Sequence, residues 1–370
     1  MDLNLDREQE DLVDTARRFL AQRFPLTEVD GEMAHHHDHE ELLRQVAELG
    51  WPALAVPSEH GGADGTLVEL ALLAEELGRA GLTCSMTAST ALVALPLVAA
   101  DDARYAQTLS GICEGAIVAT MPLLREGVAD EWSEHAAVGV RDGEGWVLRG
   151  AYTLVPFAEQ AHVFLVDAEL ADRGRSLVLV PADRVAVRPQ SVIGGEPRAA
   201  VVFDGVRVTA DEVVDVDPSR VPGVVERALL TATVLQCAHA VGACEAALQL
   251  SVKWAIDREQ FGRQIGSFQS VSNRCADMRL GIDAARLLTW EAAWSLAEHR
   301  SEAAEFVSVA KAYLTDIGDM VVFNSHQVHG AMGFSTEYPL HVFTRSIKAF
   351  RVTLGSGASH LERVAAAIGL

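Results

Sequence analysis

The stretch Asp257-Arg-Glu-Gln-Phe-Gly-Arg-Gln-Ile-Gly-Ser-Phe-Gln269 decides the fold, because it interrupts one long apolar pattern and opens a second. Arg258 offers a planar fork of N–H donors that suits a phosphate group. Glycines such as Gly262 let the backbone approach a ligand closely, and Phe261 and Phe268 can anchor the turn in the core. The residue types alone leave two interpretations about equally open. The turn either binds a ligand or merely connects two helices.

Apolar residues recur at helical spacing on both sides of this turn and twice further along the chain. Long helices with short links pack as an antiparallel bundle. The sequence therefore predicts a four-helix bundle over residues 217–370, with its fourth helix after Pro339. The predicted buried stripes are Leu229, Ala232, Ala240, Ala243, Ala247, Leu250 and Trp254; Leu280, Ala284, Leu287 and Leu288; and Ala304, Val307, Ala310, Lys311 and Leu314.

The residues that precede the bundle show two further sequence patterns, one helical and one β. Residues 1–110 carry apolar side chains at helical spacing and predict an N-terminal α-helical domain. Residues 111–216 contain short β-rich runs separated by Gly, Pro, Asp and Arg-rich turns. Such runs predict a small antiparallel β-barrel or sandwich. The predicted fold class is therefore α+β, with helical, β and helical-bundle domains in that order.

Composition excludes several classes of protein. The chain has 370 residues, 49% hydrophobic content and a formal charge of −22, so it is not disordered and is not expected to bind nucleic acid or anionic membranes. No apolar run is expected to cross a membrane. The N-terminus is acidic and does not read as a secretory signal. Five scattered cysteines without zinc-type spacing predict reduced thiols and a cytoplasmic location.

The histidine run His35-His36-His37-Asp38-His39 is the one candidate metal site. Imidazole binds transition metals well. No other ligands are grouped near the run in sequence, so a solvated loop is the favoured interpretation, and no metal is predicted.

Three motifs carry a resemblance that covers nearly the whole chain. They are Leu49-Gly-Trp51 with Val56-Pro57-Ser-Glu59-His-Gly61-Gly62, then Arg258-x-Gln260-Phe261-Gly262 with Phe268-Gln269 and Ala276-Asp277-Met278, and finally Gln327-Val-His-Gly330-Ala-Met-Gly333-Phe with Glu337-Tyr-Pro339 and Arg345. Taken together and in order, they resemble the signatures of the acyl-CoA dehydrogenase family, a family of flavoproteins.

The resemblance implies oxidation of an acyl-CoA thioester to the trans-2-enoyl-CoA. A glutamate removes the α-proton and FAD accepts the β-hydride. It also implies that the two bundle motifs reach across a dimer interface and hold the FAD of the partner subunit. The cofactor-binding residues implied in this way are Arg258, Gln260, Phe261, Gly262, Gln269, Gln327, His329, Gly330 and Gly333.

The chain departs from the family pattern at the catalytic base. One branch of the family places the glutamate where this sequence has Leu354, and another places a Glu-Arg pair at the positions of Ala232-Thr233. Neither position holds a carboxylate, so no catalytic residue is predicted. Glu226 and Glu362 are the alternatives for a displaced base.

The segments that bind a subunit's own flavin depart as well. The family's Gly-Ser-Asp is absent from Ala119–Gly127, and Thr153-Leu-Val-Pro-Phe157 stands where the family places a flavin-contacting Trp/Phe-Ile-Ser/Thr. Pro156 has neither a hydroxyl nor a backbone donor. The chain thus keeps the residues that would bind the FAD of a partner subunit and lacks the residues that would bind its own flavin.

This contrast predicts the base-lacking subunit of an α₂β₂ acyl-CoA dehydrogenase, paired with a homologous subunit. The terminal stretch Gly355–Arg363 resembles the actinobacterial branch that degrades steroid (cholesterol) side chains, so the resemblance implies an acyl-CoA substrate of the steroid-CoA class. Three alternatives remain open. They are a self-sufficient homomeric enzyme with a displaced base, a family member repurposed for another reaction, and a flavin-free structural subunit.

Overall fold

The computed structural model describes residues 5–29, 32–34, 38–133 and 136–370. Residues 35–37 of the histidine run lie outside the described residues. His39 opens a helix, and its ring Nδ1 lies 3.2 Å from the Thr83 carbonyl oxygen. In the ranges just given, no group of three or more His, Cys, Asp or Glu side chains is arranged to hold a metal ion.

The N-terminal part is helical, as predicted, because capping residues and apolar spacing agree. Asp6 and Gln9 form a capping box at the start of the first helix, and Thr66 and Glu69 form another at the third. A short hairpin between the first two helices was not predicted. The elements are α1 (Arg7–Arg23), β1 (Thr27–Val29), β2 (Glu32–Ala34), α2 (His39–Glu48), α3 (Leu67–Ala80), α4 (Ser85–Ser89), a π-helical turn (Thr90–Ala94), α5 (Leu95–Ala100) and α6 (Ala106–Cys113).

The middle part is one curled sheet in the order β3-β6-β4-β5-β9-β8, with β7 paired to β6. The β-rich runs predicted at 136–140, 146–148, 163–166, 177–180, 185–187 and 200–203 all overlap strands. The expectation of purely antiparallel pairing is wrong at two places, since β3 and β4 both run parallel to β6. The strands are β3 (Ala119–Thr120), β4 (Ala137–Asp142), β5 (Gly145–Pro156), β6 (Val163–Leu170), β7 (Gly174–Pro181), β8 (Ala186–Gln190) and β9 (Arg198–Val208).

The C-terminal part is the predicted helical bundle. Three of its helices are long, while the fourth is short and is followed by a fifth. The elements are α7 (Val221–Asp257), β10 (Glu259–Gln260), β11 (Arg263–Gln264), α8 (Gln269–Ala297), α9 (Ala303–His329), α10 (Leu340–Phe350) and α11 (Gly357–Ala367). The domain divisions at 110 and 216 stay predictions.

The buried stripe predicted for α8 is wrong. Leu280 is 70% exposed and Leu287 is also exposed, whereas Met278, Ile282 and Ala285 are buried. Apolar spacing identifies a helix but does not tell which of two apolar faces meets the core. Helix α8 therefore presents large apolar side chains to the outside of the chain.

The statement that no apolar run could cross a membrane is also wrong. Helix α7 is long and apolar enough by length and composition alone. However, 67% of its most apolar window is buried within the protein. Such burial is typical of the central helix of a bundle, which is hydrophobic all round.

Backbone contact between α3 and α7 fixes how the first helices sit on the bundle. A Cβ at Gly242 would lie 1.9 Å from the Glu75 carbonyl oxygen, and one at Gly78 would lie 1.9 Å from the His239 carbonyl oxygen. Only glycine permits this approach. The crossing brings Leu77 of α3 and His239 of α7 to the wall of one cavity.

Candidate functional site

A cavity of about 300 Å³ lies where the N-terminal helices, the sheet and the bundle meet. Its walls are mainly apolar. Its lining includes Leu77, Met121, Glu131, Thr153, Leu154, Pro156, Arg198, Ala232, Leu235, Gln236, His239, Phe350 and Leu354. A partly enclosed apolar cavity with a few polar groups is the usual form of a small-molecule site.

The two positions at which the resemblance places the catalytic base, Ala232 and Leu354, both face this cavity. Ala232 comes from α7 and Leu354 follows α10, and both line the wall. The alternatives from the sequence do not reach it, because Glu226 and Glu362 are exposed and neither lines the cavity. A displaced base at either of these glutamates has no support from the geometry.

The segment that carries Leu354 is held from two sides of the molecule. Trp132, in the loop after β3, donates its indole N–H to the Leu354 carbonyl oxygen at 2.8 Å, and His360 of α11 donates to the same oxygen at 2.9 Å. Burial lowers the pKa of His360 to about 4, so the ring is neutral and its Nε2 carries the proton. These two donors hold Leu354 at φ 55°, a left-handed conformation that is uncommon outside glycine.

Lys311 also holds the segment that carries Leu354. Its ammonium donates to the carbonyl oxygens of Phe350 at 2.5 Å and Thr353 at 2.8 Å, and it lies over the Phe350 ring. Burial lowers its pKa to about 8. The carbonyl oxygens after α10 are thus satisfied by side chains, which fixes this wall of the cavity.

The stretch at Thr153 forms hydrogen bonds within the chain itself. The Leu154 backbone N–H donates to the Gln190 side-chain oxygen at 2.7 Å, and the Gln190 amide donates to the Thr153 hydroxyl at 2.9 Å. Arg198 donates to the Leu154 carbonyl oxygen at 2.7 Å. Groups that could contact a flavin here are therefore already paired with neighbouring side chains, and Pro156 adds no donor. These residues fit a flavin poorly.

The turn between α7 and α8 is a small hairpin of β10 and β11. Arg258 lies 5.7 Å from the centre of the Trp254 ring, and Arg263 lies 4.1 Å from that of Phe268. Neither arginine forms an ion pair with any residue that the structure describes. Two unpaired cations on an acidic chain suit an anionic group such as a diphosphate.

Phe261 does not anchor the turn in the core, contrary to expectation. It is 92% exposed, with its backbone at φ 57°, and its ring meets Phe268 edge-on. The following Gly262 has φ 77°, so two successive left-handed residues point the Phe261 side chain outward. Gln260 and Gln269 are exposed on the same turn.

The end of α9 meets this turn through His329. The His329 ring is buried, contacts the Trp254 ring at 5.5 Å, and lies within hydrogen-bonding distance of the Ser325 carbonyl oxygen and the Tyr338 hydroxyl. Burial lowers its pKa. Both ring nitrogens have partners within the chain. Through its ring contact with Trp254, whose ring lies beside Arg258, His329 connects the end of α9 to the turn.

The remaining predicted cofactor-binding residues surround His329. Gln327 and Gly330 are exposed, and Gly330 ends α9 at φ 59°. Gly333 is buried, and a Cβ there would lie 3.1 Å from the His326 ring. The structure thus brings the two sequence motifs to one end of the bundle, and whether they contact FAD stays a prediction.

Sequence reasoning missed the polar groups of the cavity. Glu131 is a buried carboxylate in the wall, and Gln236 contributes a buried side-chain oxygen that has no hydrogen-bond partner in the described chain. Gln236 lies one helical turn after Ala232, so that spacing could have identified it. No local pattern marks Glu131, because its loop reaches the cavity only through the fold.

Comparison with known proteins agrees with the motifs. The family descriptions "Acyl-CoA dehydrogenase, N-terminal domain" and "Acyl-CoA dehydrogenase, C-terminal domain" match residues 6–116 and 223–369. A probable acyl-CoA dehydrogenase of Bacillus subtilis is 27% identical over 90% of this chain and 92% of its own length.

Two solved structures are similar over nearly their whole length. The ChsE4–ChsE5 complex from Mycobacterium tuberculosis has a chain with a TM-score of 0.87 and 26% identity, covering 100% of this chain and 99% of that one. A variant of a steroid acyl-CoA dehydrogenase (ACAD) has a TM-score of 0.84 and 27% identity, covering 98% of this chain and 97% of that one. The chain belongs to the acyl-CoA dehydrogenase family, whose members carry out FAD-dependent dehydrogenation.

Proposed function

We propose that this chain is the base-lacking subunit of a heteromeric acyl-CoA dehydrogenase, an α₂β₂ assembly with a homologous subunit in the cytoplasm. The observation that carries the proposal is that Ala232 and Leu354, the two positions of the family base, are apolar and face the cavity. FAD bound by the partner would accept the hydride, and the partner would provide the base.

In this assembly the bundle end of the chain completes the FAD site of the partner. Arg258 would donate to the diphosphate, since its guanidinium is exposed and has no acidic partner among the described residues. Gln260, Phe261, Gly262, Gln269 and the segment Gln327–Gly333 would line the same surface. By contrast, the donors around Thr153 in the chain's own cavity are already paired.

Exposed apolar side chains on the bundle support a partner subunit. Several large apolar residues of this part are exposed, and a contiguous exposed apolar patch would mark an interaction site. They are Val252, Ile256, Phe261, Leu280, Leu287, Phe323 and Phe334. The similarity to one chain of the ChsE4–ChsE5 complex is consistent with this arrangement.

The proposed substrate is a steroid whose side chain carries the acyl-CoA thioester. The similarity to a steroid ACAD and the terminal stretch Gly355–Arg363 support this choice. A panel of straight-chain and steroid acyl-CoA esters, assayed with the purified complex, tests it. A preference for straight chains would contradict the steroid assignment and leave the subunit role intact.

Copurification tests the subunit role. The chain should be expressed alone and together with homologous subunits encoded near it, and FAD should be counted per polypeptide. The expected result is little flavin and no turnover alone, and about one FAD per two chains in an active complex. Full flavin occupancy and turnover by the chain alone would refute the proposal.

A self-sufficient enzyme is the second candidate, and one observation favours it. Glu131 puts a buried carboxylate of this chain into the cavity, whereas Glu226 and Glu362 lie outside. In that case the chain alone would turn over acyl-CoA, and Glu131→Gln would abolish the activity while leaving the flavin bound.

A further inference from the structure

Glu131 is the carboxylate for which the proposed function has no use. It is 6% exposed and lines the cavity together with Leu354. Its neighbour Trp132 fastens the loop to the bundle, through the hydrogen bond to Leu354, an edge-on contact with His360 and the Arg363 guanidinium over its ring. The position of Glu131 is therefore fixed by the fold.

The Glu131 carboxylate lacks a partner of its own. In the part of the chain that the structure describes, it forms no hydrogen bond and no ion pair within 4.0 Å. Lys311 interacts electrostatically with Glu131, but the Lys311 ammonium donates its hydrogen bonds to the carbonyl oxygens of Phe350 and Thr353. A buried carboxylate without a partner is costly, so such groups are retained chiefly where a ligand uses them.

A second unpaired group lines the same cavity. The Gln236 side-chain oxygen is buried without a hydrogen-bond partner among the described residues. Apolar surface of the cavity comes from residues such as Leu77, Met121 and Leu235. The cavity is thus mainly apolar, and its lining contains two hydrogen-bond acceptors, the Glu131 carboxylate and the Gln236 side-chain oxygen. Such a cavity suits an apolar ligand that carries a hydrogen-bond donor.

We propose that this cavity binds a neutral, mainly hydrocarbon molecule that carries a hydroxyl group, and that Glu131 accepts the hydrogen bond from this hydroxyl. An anionic head is disfavoured by the Glu131 carboxylate, and the mainly apolar walls disfavour a charged head of either sign. A hydroxyl satisfies the carboxylate without adding charge. The proposal concerns the chain's own cavity and does not rest on the contact with a partner's FAD.

Three probes that share one chain length test the assignment: n-decanol, its methyl ether and n-decanoate. Their binding to the purified full-length chain should be measured by isothermal titration calorimetry. The wild-type protein should bind n-decanol about tenfold or more tightly than the ether, since a hydrogen bond to a charged group supplies a factor of this size. It should bind n-decanoate least tightly.

Two substitutions of Glu131 separate recognition from packing. Glu131→Leu should remove the preference for n-decanol over the ether, and Glu131→Gln should reduce it and improve the binding of n-decanoate. Glu126→Gln is the matched control, because Glu126 lies exposed in the same loop and does not line the cavity. This control should keep the wild-type order of affinities.

Two results would overturn the proposal. They are no measurable binding of any probe to the wild-type chain, and an unchanged order of affinities in both Glu131 variants. If the second result came with lowered thermal stability of the variants, Glu131 would only compensate the charge of Lys311. None of them bears on the FAD content of the complex, so failure here is distinguishable from failure of the proposed subunit role.

Discussion

Replacing Arg258 by alanine should lower the affinity of the heteromeric complex for FAD. The guanidinium is exposed beside Trp254 and has no acidic partner among the described residues, so it is available to a diphosphate. A hydrogen bond between charged groups is worth about 1.5–3 kcal/mol. At about 1.4 kcal/mol for each factor of ten, the dissociation constant for FAD should rise about 10- to 100-fold.

The chain offers a matched control for this substitution. Arg300 also lies over a tryptophan ring, 5.2 Å from the centre of Trp294, at an exposed position between α8 and α9. Both substitutions lose a cation–π contact worth about 0.5–1 kcal/mol at an exposed site. Only Arg258→Ala should lose FAD.

The assay is equilibrium titration of the flavin-depleted complex with FAD, followed by flavin fluorescence. Arg258→Lys should recover only part of the affinity, because an ammonium lacks the two-pronged geometry of guanidinium. An Arg258→Ala complex that binds FAD as tightly as the Arg300→Ala complex would refute the reasoning. It would also favour a subunit that serves only as a structural scaffold.

Three further substitutions test the surface, the cavity wall and the buried cation. Phe261→Ser should leave the stability of the isolated chain within about 0.5 kcal/mol but weaken assembly by about 1–3 kcal/mol in sedimentation equilibrium. Val140→Ser, an exposed apolar site on β4, serves as its control, and equal assembly of the two variants would contradict the proposed interface. Trp132→Phe should lower the free energy of unfolding in urea by about 1–2 kcal/mol, since the Leu354 carbonyl oxygen loses one of its donors; unchanged stability would show that His360 alone suffices. Burial lowers the pKa of Lys311 from 10.5 to about 8, so between these values the unfolded chain binds a proton that the folded chain does not. The free energy of unfolding should therefore rise with pH across this window, by at most about 3 kcal/mol. Lys311→Met should abolish the rise, and an identical pH profile in this variant would contradict the assignment.

The sequence by itself determined the family, the order of helical and β parts, and the apolar character of Ala232 and Leu354, where the resemblance places the base. These properties are local. Motif spacing, capping residues and apolar periodicity are all readable within a few turns of chain. The motif at Arg258 and the motif at His329 were both identified in this way, and the structure brings them to one end of the bundle through Trp254.

Only the tertiary structure decided which apolar faces find a partner within the chain. Leu280 satisfies the helical pattern but points outward, and Phe261 is turned outward by the left-handed backbone of its turn. The same holds for Glu131, which reaches the cavity because Trp132 is bonded to Leu354, 222 positions further along the chain. Burial and pairing are properties of contacts between distant segments, and neither periodicity nor composition contains them.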